Sequence, residues 1–338
     1  MSAAERGAAK TATDRLTLVE AVCEALHEEM ARDESVVVLG EDVGKSGGVF
    51  RATDGLYEAF GEERVVDTPL AESGIVGSAI GLALSGMCPV AEMQFMGFMY
   101  PAFDQLVSHA ARLRSRSRGQ YSVPLVVRAP YGGGVRAPAH HSESKEAFFV
   151  HEPGLKVVAP STPADAKGLL TAAIRDPDPV VVLEPKLVYR AFREEVPTGS
   201  YETPIGEAAL RREGEDVSVF TWGAMTRPVL VAAEDLAGEY GIDTEVLDLR
   251  TLSPLDAETL AASFRKTGRA VVVHEAPKTA GPGAEVAATL QEEALLHQEA
   301  PIRRIAGFDT PMPPHSVEDY YLPQAARIQE GILDTVEF

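Results

Sequence analysis

Glu72 stands where a carboxylate can be tuned for chemistry. The run Val65-Val-Asp-Thr-Pro-Leu-Ala-Glu72-Ser-Gly-Ile-Val-Gly-Ser-Ala-Ile-Gly81 reads as a short apolar strand, a tight turn holding one carboxylate, and a helix that starts at once. Small residues at Gly74, Gly77, Ser78 and Gly81 let another backbone, or a flat ligand, approach that helix closely. A partly buried carboxylate at such a junction is suited to exchange a proton near neutral pH. The same position also suits an acidic residue that complements the positive end of the helix dipole, with Ser73 as cap. Local sequence leaves both roles open. His140 and His141, in the loop Ala139-His-His-Ser-Glu-Ser144, are the second candidates, because imidazole titrates near neutrality. Adjacent histidines are usually solvated polar residues, and a metal site would need further ligands at matched spacing, which His151 alone does not supply. Two phosphate-loop patterns fail. Gly40-Glu-Asp-Val-Gly44-Lys-Ser46 has three residues between its glycines rather than four, and Glu41 and Asp42 would face the phosphates. Gly281-Pro-Gly283 meets Val286 where a dinucleotide fingerprint needs glycine.

Residues of this kind need a scaffold, and the chain supplies alternating strands and helices. The strand candidates of the first half are Val36–Gly40, Val65–Asp67, Pro89–Gln94, Pro124–Pro130, Lys156–Pro160 and Val180–Glu184, with helical patterns at 17–31, 74–87, 101–116 and 163–175. The runs VVVLG, PLVVRAP and PVVVLEP are continuous rather than alternating, as strands covered on both faces should be. That predicts an α/β fold with a mostly parallel sheet and helices on both faces. The polar, turn-rich stretch Tyr189–Pro204 reads as a domain connection. Beyond it, strands at Val217–Trp222, Thr244–Arg250, Ala270–Glu275 and Ile302–Ala306 alternate with helices near 226–239, 256–265, 283–297 and 323–335, which predicts a second, smaller α/β domain.

Composition narrows the class. At 338 residues two domains are the default, and a 45% apolar content can bury a sizeable core. No apolar run approaches the roughly 20 residues that span a bilayer, and MSAAERGAAKTATDR lacks the apolar centre of a signal peptide. Cys23 and Cys88 form neither a metal pattern nor a disulfide framework, so a cytoplasmic, reducing compartment is expected. The net charge of −20 argues against nucleic acid, whose phosphates would be repelled. It suits either a basic protein partner or a salt-rich cytoplasm; eight lysines against 23 arginines, and acids spread along the chain, fit the second.

Four segments, GEDVGKSGGVFRATDGL (40–56), VVDTPLAESGIVGSAIGLALSG (65–86), PVAEMQFMGFMYPAFDQLVSHAARLRSRS (89–117) and RAPYGGGVRAPAHHSESKEAFFVHEPGLKVVAPSTPADAKGLL (128–170), carry a resemblance in their order and spacing. With GIDTEVLDLRTLSPLD (241–256) and KTGRAVVVHEAP (266–277), the chain from about residue 15 onward resembles the β subunit of the thiamine-diphosphate-dependent 2-oxo acid dehydrogenases. The resemblance implies a flexible N-terminus over 1–14, a pyrimidine-binding domain over 15–188, a linker over 189–204 and a transketolase C-terminal-type domain over 205–338.

Such a subunit would house the aminopyrimidine ring of thiamine diphosphate. An α subunit would hold the diphosphate and Mg²⁺ through a Gly-Asp-Gly motif, which this chain does not contain. The resemblance casts Glu72 as the carboxyl group that protonates the pyrimidine nitrogen, so that the exocyclic amine can take the thiazolium C2 proton. Phe98 would stack on the ring, a role that periodicity cannot separate from core packing. Leu70 and Gln94 would line it, with Glu41 nearby. His141, the histidine directly before Ser-x-Ser, would assist proton transfer at the acyl or lipoyl stage, with His140 the second choice. Asp176 and Asp178 fall where some relatives hold structural K⁺, although acidic residues before proline are common in turns for other reasons. The implied assembly is an α2β2 heterotetramer that passes an acyl group from a small 2-oxo acid to a lipoyl acyltransferase core, with docking through the C-terminal domain. Branched-chain 2-oxo acids are favoured by Gly-Gly-Gly-Val-Arg136, His140-His141 and Leu-Glu-Pro-Lys186, and pyruvate or acetoin is the alternative. A non-catalytic assembly subunit would be expected to have lost Glu72. A self-sufficient transketolase-like enzyme would need its own diphosphate motif and a longer chain.

Overall fold

A computed structural model describes residues 12–338. Fourteen strands appear in chain order: β1 (Thr13–Leu16), β2 (Val36–Gly40), β3 (Val65–Asp67), β4 (Cys88–Glu92), β5 (Val126–Tyr131), β6 (Lys156–Val158), β7 (Val180–Pro185), β8 (Glu194–Pro197), β9 (Ala209–Arg212), β10 (Val217–Thr221), β11 (Thr244–Asp248), β12 (Thr251–Ser253), β13 (Ala270–Pro277) and β14 (Arg303–Gly307). Seven of them form one sheet in the order β12-β6-β7-β5-β4-β2-β3, parallel except for β12. Five form a second sheet, β14-β13-β10-β11-β9, parallel except for β9. The expected two-sheet α/β architecture is what the chain adopts.

Every residue of β2, β5, β7 and β10 is buried, which explains why their sequences do not alternate. Alternate residues serve opposite faces. Val36, Val38, Val126 and Val180 pack with the helices Leu18–Arg32 and Pro163–Arg175. Leu39, Val127, Val181 and Leu183 pack instead with the helix Glu72–Leu84 and the segment after β4. Thr17 starts the first of these helices with a reciprocal capping box to Glu20.

Four expectations change. Of the N-terminal stretch 1–14, residues 1–11 lie outside the described residues, while Thr13 and Asp14 belong to β1. The connection 189–204 contains β8, which pairs antiparallel with β1; its polar pattern hid a strand because only Val196 is buried. The second half also reaches into the first sheet, since β12 lies on β6. The helix expected over 101–116 is broken into a 3₁₀ turn Tyr100–Ala102, a π-turn Gln105–Ala110 and the helix Leu113–Arg116. Ala111 N donates to Leu106 O five residues back, a widening that apolar periodicity cannot reveal. Among the described residues no helix is long and apolar enough to cross a membrane.

Candidate active site

In an open parallel sheet, ligands settle beyond the carboxyl ends of the strands, where the connections diverge. The sequence-predicted residues follow those ends in order across the sheet. His141 lies beyond β5, Gln94 and Phe98 beyond β4, Glu41 directly after β2, and Leu70 and Glu72 beyond β3.

At the β2–β3 end the environment is acidic. Glu72 is the first residue of its helix and is half-buried; Ala71 precedes it and, among the described residues, no side chain caps that end, so Ser73 is not the cap. Glu41 is 5% exposed, and its Oε2 has no hydrogen-bond partner among the described residues. Burial and the neighbouring Glu72 and Asp42 carboxylates push the Glu41 carboxyl above its ordinary range. Gln94 Nε2 donates to Asp42 Oδ2 at 3.2 Å, and Gly44 N donates to Asp67 Oδ1 at 2.6 Å, which ties the loop after β2 to its neighbours. Thr68 Oγ1 is also buried without a partner among the described residues. Leu70 is 82% exposed, so nothing among the described residues covers it. A hollow bounded by Thr68, Pro69, Ala71, Gly74 and Ser78 opens along the small-residue face of the helix.

At the β4–β5 end the environment is aromatic and closed. Phe95, Phe98 and His141 meet edge to face, with centroids 5.4 Å apart for the two phenylalanines and 4.5 and 5.1 Å from each to the imidazole. His141 Nδ1 is buried without a partner among the described residues. The two histidines are thereby told apart: His141 is half-buried against the rings, whereas the His140 side chain is exposed. The His140 carbonyl presses on Gly97, where a Cβ would lie 2.1 Å from the oxygen, so this turn fits only because residue 97 lacks a side chain.

Beneath the rings lies a buried ion triad. Arg128 of β5 holds Glu184 of β7 bidentately at 2.7 and 2.6 Å and also donates to Glu92 of β4. Tyr189 donates to Glu184 and meets Phe50, which in turn meets Phe95 at 5.5 Å. The aromatic cluster therefore rests on a rigid floor.

Two participants were not foreseen. Phe95 touches His141. Lys186, directly after β7, is 4% exposed; its ammonium lies 5.6 Å from the Phe95 ring and donates to Gly132 O. Burial draws its pKa down to about 8 against the opposing pull of Glu275 and Glu318. The available signal was a lysine directly after the carboxyl end of a fully covered strand. Asp176 and Asp178 are held by Lys156 and Arg114, so both carboxylates already have protein cations.

These residues fit the pyrimidine end of thiamine: a flat apolar face, a half-buried carboxylate and unpaired buried polar atoms. They do not fit a diphosphate, which Glu41, Asp42, Asp67 and Glu72 would repel. Among the described residues no cluster of three His, Cys, Asp or Glu stands ready for a metal.

Residues 14–191 match the transketolase pyrimidine-binding domain family, and residues 206–328 match the transketolase C-terminal domain family. The chain is 53% identical to the pyruvate dehydrogenase E1 component subunit beta of Acholeplasma laidlawii, over 93% of this chain and 95% of that one. It is 52% identical to the 3-methyl-2-oxobutanoate dehydrogenase subunit beta of Mycobacterium tuberculosis, over 96% and 92%. Among solved structures it resembles a split-gene transketolase described as an inactive β4 tetramer, with TM-score 0.79, 25% identity and coverage of 96% and 99%. The chain belongs to the transketolase-type family that includes the β subunits of the thiamine-dependent 2-oxo acid dehydrogenases.

Proposed function

We propose that this chain is the β subunit of a 2-oxo acid dehydrogenase decarboxylating component, working with an α subunit in an α2β2 assembly and passing its acyl group to a lipoyl acyltransferase core. The observation that carries the reading is Glu72 at a helix start beside buried Glu41, across the sheet end from Phe98 and His141. Glu72, Phe98, Gln94, Leu70 and Glu41 would hold the aminopyrimidine of thiamine diphosphate. The cofactor supplies the electron sink that decarboxylation requires. Glu72 would exchange a proton with a ring nitrogen of the pyrimidine. Burial and the neighbouring Glu72 and Asp42 carboxylates favour the protonated form of Glu41 beside it. Phe98 presents a flat face and excludes water. His141 has a free buried Nδ1 with which to move a proton at the far end. The diphosphate and Mg²⁺ belong to the α subunit in this reading, and the compartment is the cytoplasm.

Residues 15–188 form the pyrimidine half, 189–204 the connection and 205–338 the docking half. The −20 charge would also suit a basic docking segment on the acyltransferase core, in which case added salt weakens core binding.

The test is dye-coupled oxidation of 3-methyl-2-oxobutanoate, pyruvate, 2-oxoglutarate and acetoin by the chain mixed with its α subunit, thiamine diphosphate and Mg²⁺, and by the chain alone. Turnover only in the mixture, fastest with the branched-chain acid, is expected. Pyruvate is the second reading, because a relative at 53% identity bears that name. No turnover from a stable α–β complex overturns the proposal in favour of an assembly subunit.

A further inference from the structure

The segment Gly132–Arg136, between β5 and the histidine turn, has little to hold itself in place. Gly132, Gly134 and Arg136 all lie in the left-handed region, with φ of 80°, 95° and 54°. For Arg136 that conformation is unfavourable and persists only when the surroundings impose it. The surroundings come from the other domain. Glu275 of β13 accepts from Gly133 N at 3.0 Å. Glu318, 1% exposed at the start of the helix Glu318–Tyr321, accepts from Gly134 N and, at 3.4 Å, from Arg136 N through the same Oε1. Met312 and Leu322 close over Gly133, and Lys186 fixes Gly132 O from below. Gly132 N then donates to Glu143 O at 2.9 Å, so the far side of the histidine turn is tied to the same anchor. Arg136 also meets Asp319 at 2.9 Å, but both side chains are well exposed and that pair contributes little.

We infer that Glu318 and Glu275 are positioning residues: carboxylates of the C-terminal domain that clamp the Gly132–Arg136 backbone and so hold His141 against Phe95 and Phe98. The inference rests on the reading of His141 as a working group. A buried carboxylate accepting backbone amides makes a strong bond, and removing Glu318 leaves the part-buried Gly134 and Arg136 amides without that acceptor. Small displacements of a working group are expensive in rate, so the effect belongs in kcat rather than in cofactor binding.

The experiment uses the α-containing complex with Glu318→Ala, Glu318→Gln, Glu318→Asp, His141→Ala and the Glu318→Ala/His141→Ala pair. Deuterium exchange over residues 132–144 reads the clamp without reference to activity. Glu318→Ala is expected to accelerate that exchange at least about tenfold and to lower kcat roughly 10- to 100-fold with KM for thiamine diphosphate unchanged. Glu318→Gln, which keeps an acceptor, restores both. The paired variant is expected to be no slower than His141→Ala alone, because the clamp acts through that histidine. Unchanged exchange in Glu318→Ala, or kcat losses that multiply in the pair, overturns the inference. Full turnover by His141→Ala overturns the reading of that histidine instead, and the exchange data then decide the clamp alone. Should Glu318→Ala fail to fold, Glu318→Asp withdraws the carboxylate by one methylene and is judged by the same readouts.

Discussion

The two ends of the candidate site are built in opposite ways. At the β2–β3 end, Glu41 and Glu72 crowd like charges together, Leu70 stands in solvent, and buried polar atoms lack partners among the described residues. At the β4–β5 end, three rings lock together above a fully buried ion triad, and the second domain seals the loop above them. The open end carries unmet interactions that a ligand and a partner chain can satisfy. The closed end is held by this chain's own packing, with His141 Nδ1 an unmet polar atom toward a ligand. A site divided between two subunits should look like this: each subunit rigidifies what it can hold by itself and leaves the seam unfinished.

The contrast can be broken at several points. The largest effect belongs to Glu72→Gln, which keeps the shape but removes the exchangeable proton. Turnover of the α–β complex should fall by about 100-fold or more, with its thermal midpoint unchanged; full activity would place the open end outside the chemistry. Gly97→Ala strikes the closed end. The new methyl would meet the His140 carbonyl at 2.1 Å, and backbone cannot yield cheaply. A kcat loss of roughly 10- to 100-fold is expected from the displaced imidazole, without loss of pyrimidine binding measured by cofactor titration. Equal damage to both readouts would mean that the two ends are one unit.

Leu70→Ser probes the seam itself. A leucine left exposed in this chain but buried in the complex is worth about 1.5–3 kcal/mol, so affinity for the α subunit should drop tenfold or more by titration, while the isolated chain melts as before. Unaltered affinity would remove Leu70 from the partner face.

The effect read in stability rather than in rate or affinity concerns Glu146, which follows the histidine turn and accepts from Trp222 Nε1 of the other domain at 3.2 Å. Burial pushes its carboxyl from 4.5 up to about 7. Below 4.5 the folded and unfolded chains are both protonated. Between 4.5 and about 7 the folded chain alone retains the proton, so this group's drag on stability grows with pH and is complete above 7. Glu146→Gln should therefore stabilise the protein at pH 8, by at most about 3 kcal/mol, and leave it unchanged at pH 4 in calorimetric melts. A pH-independent difference would mean that the closed end is wetter than its packing implies.

Much of this was legible in the residues. Glu72 could be read from its strand–turn junction, because a carboxylate placed just after an apolar strand must lie at a sheet end; Glu41 was named as a site residue only through the resemblance. His141 could be separated from His140 only through the resemblance; in space the separation is physical, since one ring packs on Phe95 and Phe98 while the other faces solvent. Phe95 and Phe98 could not be ranked by periodicity, and both prove to touch the imidazole. The π-turn at Gln105–Ala110 was illegible because the same apolar spacing supports bonds to the fourth or the fifth preceding carbonyl.

By itself the sequence determined the alternation of strands and helices, the two sheets, and the ranks of residues waiting at strand ends, because these follow from local periodicity and from the burial that parallel sheets demand. Tertiary structure alone decided which of those residues meet. Glu275 reaches Gly133 across 142 residues and Glu318 reaches Gly134 across 184, and Lys186 joins them from a third strand. Nothing local marks such pairs: a carboxylate's partner is chosen by how the two domains pack, and the energy of satisfying a buried amide appears only once that packing has excluded water.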